Sequence, residues 1–331
     1  MGTRREGTGT SRPPPGRGHP LSNLTRSMSE PGQPAPEPAP APPTRRLPRR
    51  YLALGLIVVA ICVLGALVLV RDNSGPPSSP TTEAFTPAPS SLLSSMASVP
   101  TSVYDTVGVS SSGIPVTPPH QVGNGRGSLW EAPDGDGPGR PVVFFYGAEF
   151  APYPAAERWP LILALSRFGT FKQLGVMQSS VTTAFPDLST YTFWQASYSS
   201  PYITFESVER YSSLNPTGAR YLGLERPTAR QAGAISLFGQ GANTFAVLDV
   251  ADRWVLTGAA FTPGALSGMT QSEIVGYLTT PASLMTQAVV TAANEISASI
   301  CAVDGQNPGD VCHSHGVLVA DAALGITTAA S

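Results

Sequence analysis

Residues 141–159 read PVVFFYGAEFAPYPAAERW. A run of branched and aromatic residues, Val142 to Tyr146, ends at Gly147-Ala148-Glu149-Phe150, and Pro152 and Pro154 then open a predicted helix. A helix start of this kind is where thiol–disulfide exchange is carried out. Its dipole and free amides stabilise an attacking thiolate, and a second cysteine three residues on resolves the mixed disulfide. Here the two positions at that spacing are Ala151 and Pro154. Alanine has no nucleophile, and proline has neither a thiol nor an amide hydrogen. Disulfide exchange at these two positions is therefore excluded.

Other groups around the stretch keep chemical potential. Glu149 precedes the helix start and has the placement of a buried acid, although without thiols such an acid has no proton to relay. Glu157 falls in the first turns, where a carboxylate complements the dipole, and with Arg158 it reads as a solvated face. The candidate binding residues are Glu149, Phe150, Tyr153, Glu157 and Trp159. With Tyr198 and Tyr202, the aromatic members would form a surface for an extended peptide; packing in the core is the plainer alternative.

The chain has three cysteines, Cys62, Cys301 and Cys312. Cys62 sits in an apolar run and reads as a small filler. Cys301 and Cys312 form an even pair separated by AVDGQNPGDV, a spacer rich in turn residues, and read as a disulfide in an oxidising compartment. Together with His313 and His315 they have the ligand types of a zinc site, but the spacing matches no finger, so no metal is expected. Gly264-Ala265-Leu266-Ser267-Gly268 lacks nucleophile-elbow spacing, and Gly123-Asn124-Gly125-Arg126-Gly127 lacks the strand–helix context of a phosphate loop. No cofactor is expected.

The elements that must position these residues follow from composition and period. Residues 1–50 are rich in Pro, Arg and Gly and read as a disordered tail. Residues 51–70, YLALGLIVVAICVLGALVLV, are twenty apolar positions, the length of a transmembrane helix. A cleaved signal peptide is the rival reading, but no small-x-small cleavage site follows. Nine arginines in residues 1–50 put that end in the cytoplasm, which makes the protein a single-pass membrane protein with an extracytoplasmic C-terminal domain. Residues 71–95 read as a Pro/Ser/Thr-rich linker and 96–331 as the folded domain. From residue 72 onward there are nineteen acidic and ten basic residues, a net of −9, which disfavours nucleic acid as a partner.

Within the domain, a short helix is expected over Ser91–Val107, and a loop or hairpin over Asn124–Arg140. A strand over Val142–Tyr146 and a helix from Pro152 ending at Gly169, kinked at Pro160, come next. Strands follow at Tyr191–Tyr198 and Pro201–Glu209, a helix at 228–237, and a hairpin from Thr244–Asp249 and Arg253–Thr257. Helices over Ser272–Leu278 and Ala282–Ala302 close the domain. A strand–helix–strand unit followed by a hairpin and helix fits a thioredoxin-type α/β fold, a mixed central sheet flanked by helices.

The runs FYGAEFxPYxAAERW, LALSRFGTF, TFxxASYxSPYITFxxVE and LDVADRWVLTGAAF, with the late cysteine pair, resemble the domain of unknown function 929 family, a thioredoxin-like group. The resemblance extends over about residues 95–320. It implies cysteines at the positions of Ala151 and Pro154, and a proline, cis in a thioredoxin-type site, at the position of Thr244, just before Phe245. All three are absent, so the chain resembles a member whose redox site has degenerated. The expected function is a redox-inactive binding, scaffolding or chaperone-like module whose partner is an envelope protein or peptide. The rival expectation is a thiol–disulfide oxidoreductase or isomerase working through Cys301 and Cys312 or through partner thiols. A third is a degenerate domain with no ligand.

Overall fold

The computed structural model describes residues 84–107, 113–123, 128–135, 137–215, 218–239 and 245–326. The expected tail, residues 1–50, and the greater part of the expected linker lie outside these, as do residues 124–127 of the glycine-rich loop and Thr244. The expected transmembrane helix requires correction. Among the described residues no helix is long and apolar enough to cross a membrane, and residues 51–70, on which the expectation rested, lie outside them. The fold class is accordingly a mixed α/β domain of sheet and helices.

The domain also begins earlier than expected. Residues 84–88 run beside strand β4 (Thr170–Gln178), where Ala88 N donates to Leu174 O and Val176 N donates to Thr86 O, each at 2.8 Å. Pro87 and Gly175 form an antiparallel bridge there. The single helix expected over Ser91–Val107 is two, α1 (Ser90–Ala97) and α2 (Thr101–Thr106). Pro100 separates them, because proline donates no amide and forces its predecessor out of the helical region.

The central strand is β3 (Gly137–Gly147). On one side it pairs in parallel with β6 (Thr204–Glu209), from Val142 opposite Thr204 to Gly147 opposite Glu209. On the other it pairs antiparallel with β7 (Val247–Val250), which pairs with β8 (Trp254–Thr257) as the expected hairpin. β1 (His120–Gln121) adds to β8, and β2 (Glu131–Asp134) pairs with the start of β3. Side chains alternate along β3 and both faces are covered, as a continuous apolar run requires. Val143 and Phe145 enter the larger core, whereas Val142, Phe144 and Tyr146 enter a smaller one with Trp130, Val208 and Val247.

Helix α3 (Pro152–Phe168) lies in the larger core and packs on α6 (Leu284–Cys301). It runs through Pro160 without interruption, and its C-cap is the expected Gly169. Helix α4 (Ala229–Phe238) covers the smaller core and starts with a capping box, in which Thr228 and Gln231 exchange side-chain and backbone hydrogen bonds. Helix α5 (Gln271–Tyr277) uses the same device with Thr270 and Glu273. The chain closes with α7 (Gly309–Cys312) and α8 (His315–Leu324).

Strand β4 and the two-residue β1 were not anticipated, and β5 is placed differently. β4 (Thr170–Gln178) pairs antiparallel with β5 (Ser189–Ser199) as a separate two-stranded ribbon. Its register shifts between Phe171 and Gln173 and again between Gln173 and Gly175. Two irregularities within nine residues break the period-2 pattern by which a strand is recognised. The ribbon fastens α3. Hydroxyls of Thr190, Tyr198 and Ser200 donate to the carbonyls of Ala155, Leu165 and Phe168 at 2.7, 2.8 and 2.6 Å.

Candidate functional site

The strand-turn-helix stretch forms as its residues predict. β3 ends at Gly147, where a Cβ would stand 2.6 Å from Phe145 Cε1 and 3.2 Å from Glu209 Oε2, so a side chain has no room. The chain turns through Ala148–Phe150, and Ala151 is the N-cap of α3 with no side-chain cap. Pro152 and Pro154 fill the first turn, and both are buried. The two positions with the spacing of a thiol pair are thus an aliphatic cap and a buried ring. Thr244 lies outside the described residues, but its neighbours are placed. Phe245 reaches the turn, and Ala246 holds φ 81°, costly for a residue with a Cβ, while its amide donates to Tyr146 O.

Phe150 is the centre of an aromatic cluster. It stacks on Tyr221 with ring centroids 4.0 Å apart and 4° between planes, and meets the edge of Phe245 at 5.3 Å. Tyr211 contacts both Phe150 and Phe245. The Tyr221 hydroxyl donates to Ser180 Oγ at 3.0 Å, and Thr182 Oγ1 lies within 3.1 Å of it. Tyr153 is 48% exposed and meets Phe185 edge-on at 6.4 Å.

The remaining candidates separate. Glu149 is buried, accepts the Thr192 hydroxyl at 2.5 Å through Oε1, and borders a cavity. Glu157 and Arg158 are not a solvated face: both are buried. Glu157 Oε2 accepts the Ala260 amide at 2.7 Å. Burial, with the neighbouring charge of Glu295 as a lesser contribution, pushes the Glu157 carboxyl up to about 8. Arg158 forms a two-pronged ion pair with Glu209, Nε to Oε1 at 2.8 Å and Nη2 to Oε2 at 2.6 Å. The reason is helix geometry. α3 is covered on nearly every side, so its polar residues must find partners inside the protein.

Trp159 belongs to the core as well. It is fully buried, its Nε1 donates to Ser189 O at 3.2 Å, and it packs edge-on against Tyr191. Tyr198 spends its hydroxyl on the Leu165 carbonyl, and Tyr202 is half-buried. The expected aromatic surface therefore reduces to Phe150, half-buried, and Tyr153.

Cys301 and Cys312 are joined by a disulfide with Cα atoms 5.6 Å apart, and both are buried. It ties the end of α6 to α7. Asp304 approaches the two sulfurs, but sulfurs bonded to each other supply no thiolate for a metal. His313 and His315 are exposed and lie outside that group.

The sequence reading missed Tyr211, Tyr221, Ser180, Thr192 and the Arg158–Glu209 pair. A signal existed for the tyrosines, two aromatic residues in a polar stretch that offered no helical or strand face to bury them. No signal pointed to the ion pair, whose partners are separated by 51 positions.

Comparison with known proteins gives no match among curated proteins and none among solved structures. Residues 134–221, from the β2–β3 hairpin through the turn, α3 and the ribbon to Tyr221, match the model of one family. That family is the one described as Domain of unknown function (DUF929).

Proposed function

We propose that the domain is a thioredoxin-like binding module that works outside the cytoplasm, carries out no thiol exchange, and holds a protein or extended peptide of the cell envelope. The observation that carries this reading is the helix start. Ala151 and Pro154 occupy the positions expected for the two thiols, while Phe150, stacked on Tyr221, and the exposed Tyr153, edge-on to Phe185, keep aromatic rings at the same helix start. The topology supports it. A strand, helix and parallel strand (β3, α3, β6) are followed by an antiparallel hairpin (β7, β8) and helices. The buried disulfide supports export, since such bridges persist in oxidising compartments.

Two measurements on the full chain test the reading. Insulin reduction should show no turnover above background, and activity abolished by Cys301→Ser would overturn the absence of exchange. Binding to an array of extended peptides should be lost in Phe150→Ala/Tyr153→Ala, and peptide binding unchanged by that pair would overturn the face.

A further inference from the structure

Near its C-terminal end α3 carries Arg167, half-buried and held on three sides. Nη1 donates to Asn294 Oδ1 at 3.2 Å and to Ser297 Oγ at 3.1 Å, and Nη2 donates to Ser314 Oγ at 2.9 Å. The guanidinium carbon lies 4.5 Å from the centre of the Tyr104 ring. All three acceptors are neutral, and Arg167 is in no ion pair among the described residues. Its charge is therefore fixed in place without being cancelled by a contacting carboxylate. Nε makes no hydrogen bond to a described residue, and it is not among the atoms sealed from solvent without one, so Arg167 keeps an unused donor.

Arg167 lines a partly open cavity of about 210 Å³, and the exposed Asp310 of α7 lines it as well, with Thr101 and Ser166. None of the side chains of Thr101, Ser166 and Asp310 is hydrogen-bonded to another described residue. Burial pulls the guanidinium below its ordinary value, while Tyr104, Asp105 and Asp310 act in the other direction. Asp105 spends Oδ1 on the Gly316 amide at 3.0 Å. One cavity thus presents a cation and an anion that do not meet. A simple anion there would face Asp310, and a simple cation would face Arg167. A molecule carrying both charges a short distance apart satisfies both.

A second cavity of about 230 Å³ adjoins the first and shares Ala97 and Ser166 with it. Leu93, Met96, Ile162 and Phe171 are among its walls, and no charged residue is. The geometry points to a binding site for a free α-amino acid with an apolar side chain. Its carboxylate is taken by Arg167, its ammonium by Asp310, and its side chain by the apolar cavity. The Cys301–Cys312 disulfide ties α7 to the end of α6 and so holds Asp310 in position. The site lies at the opposite end of α3 from Ala151 and requires no peptide there.

The test is calorimetric titration of the full chain with L-leucine. Saturable binding is expected, with N-acetyl-L-leucine, which lacks the ammonium, and L-leucinamide, which lacks the carboxylate, each weaker by about tenfold or more. Glycine, with no side chain for the second cavity, should bind several-fold more weakly than L-leucine. Asp310→Asn keeps the size of an exposed side chain and removes its charge. With native circular dichroism, it should weaken L-leucine about tenfold or more and leave N-acetyl-L-leucine unaffected. No saturable binding of L-leucine by the wild-type protein would overturn the proposal. So would N-acetyl-L-leucine, L-leucinamide or glycine binding as tightly as L-leucine, or unchanged affinity for L-leucine in folded Asp310→Asn.

Discussion

The carboxyl of Glu157 should make stability fall as pH rises. Glu157 on α3 and Glu295 on α6 are both buried, on packed helices, and both are pushed up to about 8, Glu295 by burial alone. An acid whose folded value lies above its unfolded one stabilises the fold fully only below the unfolded value. That contribution is lost as pH climbs from about 4.5 to about 8 and stays lost above. Within the window each such group costs about 1.4 kcal/mol per pH unit. For Glu157 that is roughly 3 kcal/mol between pH 6 and pH 9. In Glu157→Gln the amide oxygen can still accept the Ala260 amide, so the hydrogen bond is kept and the titration removed. Urea unfolding from pH 6 to pH 9 should give two diverging curves, the variant gaining on the wild type by roughly 3 kcal/mol across the range, with Glu295 left to account for the variant's remaining slope. Parallel curves, or a variant that loses ground toward pH 9, would refute the reasoning.

Arg158→Met strands the Glu209 carboxylate without its cation and should cost about 3–5 kcal/mol, while Arg158→Met/Glu209→Leu should recover much of that in thermal unfolding. Changing Cys301 and Cys312 together to alanine opens a loop closed across a separation of 11 residues and should cost on the order of 3 kcal/mol. Alkylation of the native, unreduced chain should label neither of these cysteines.

Much of the architecture was legible because it rests on local rules. The run Val142–Tyr146 within β3 is apolar on every residue because both faces are covered, and α3 starts where Pro152 and Pro154 allow and stops at Gly169. The hairpin of β7 and β8 and the helices α4, α5 and α6 fall close to their expected positions for the same reason. The site was less legible. That Ala151 and Pro154 carry no thiol is plain from the residues themselves. That Trp159, Glu157 and Arg158 are buried is not, because it depends on what covers α3. α3 is surrounded by the sheet, the ribbon and α6, elements separated from it by up to more than a hundred positions, and no local period reports that. β4 escaped notice because its irregular register scatters its apolar residues, and Phe85 because the composition around it is that of a linker.

The placement of residues 84–88 sets the mechanics of the domain. The chain enters as a short strand laid antiparallel along β4, held there by the pair of amide–carbonyl contacts at Thr86 and Ala88. A force applied upstream of Ala84 loads this seam before it loads the sheet built around β3. The first part to peel away would be the segment that carries Phe85, one wall of the cavity that Glu149 lines. In this arrangement traction on the N-terminal side would open the cavity before it reaches the sheet around β3, and would draw Ala88 from the edge of the larger core as it does so.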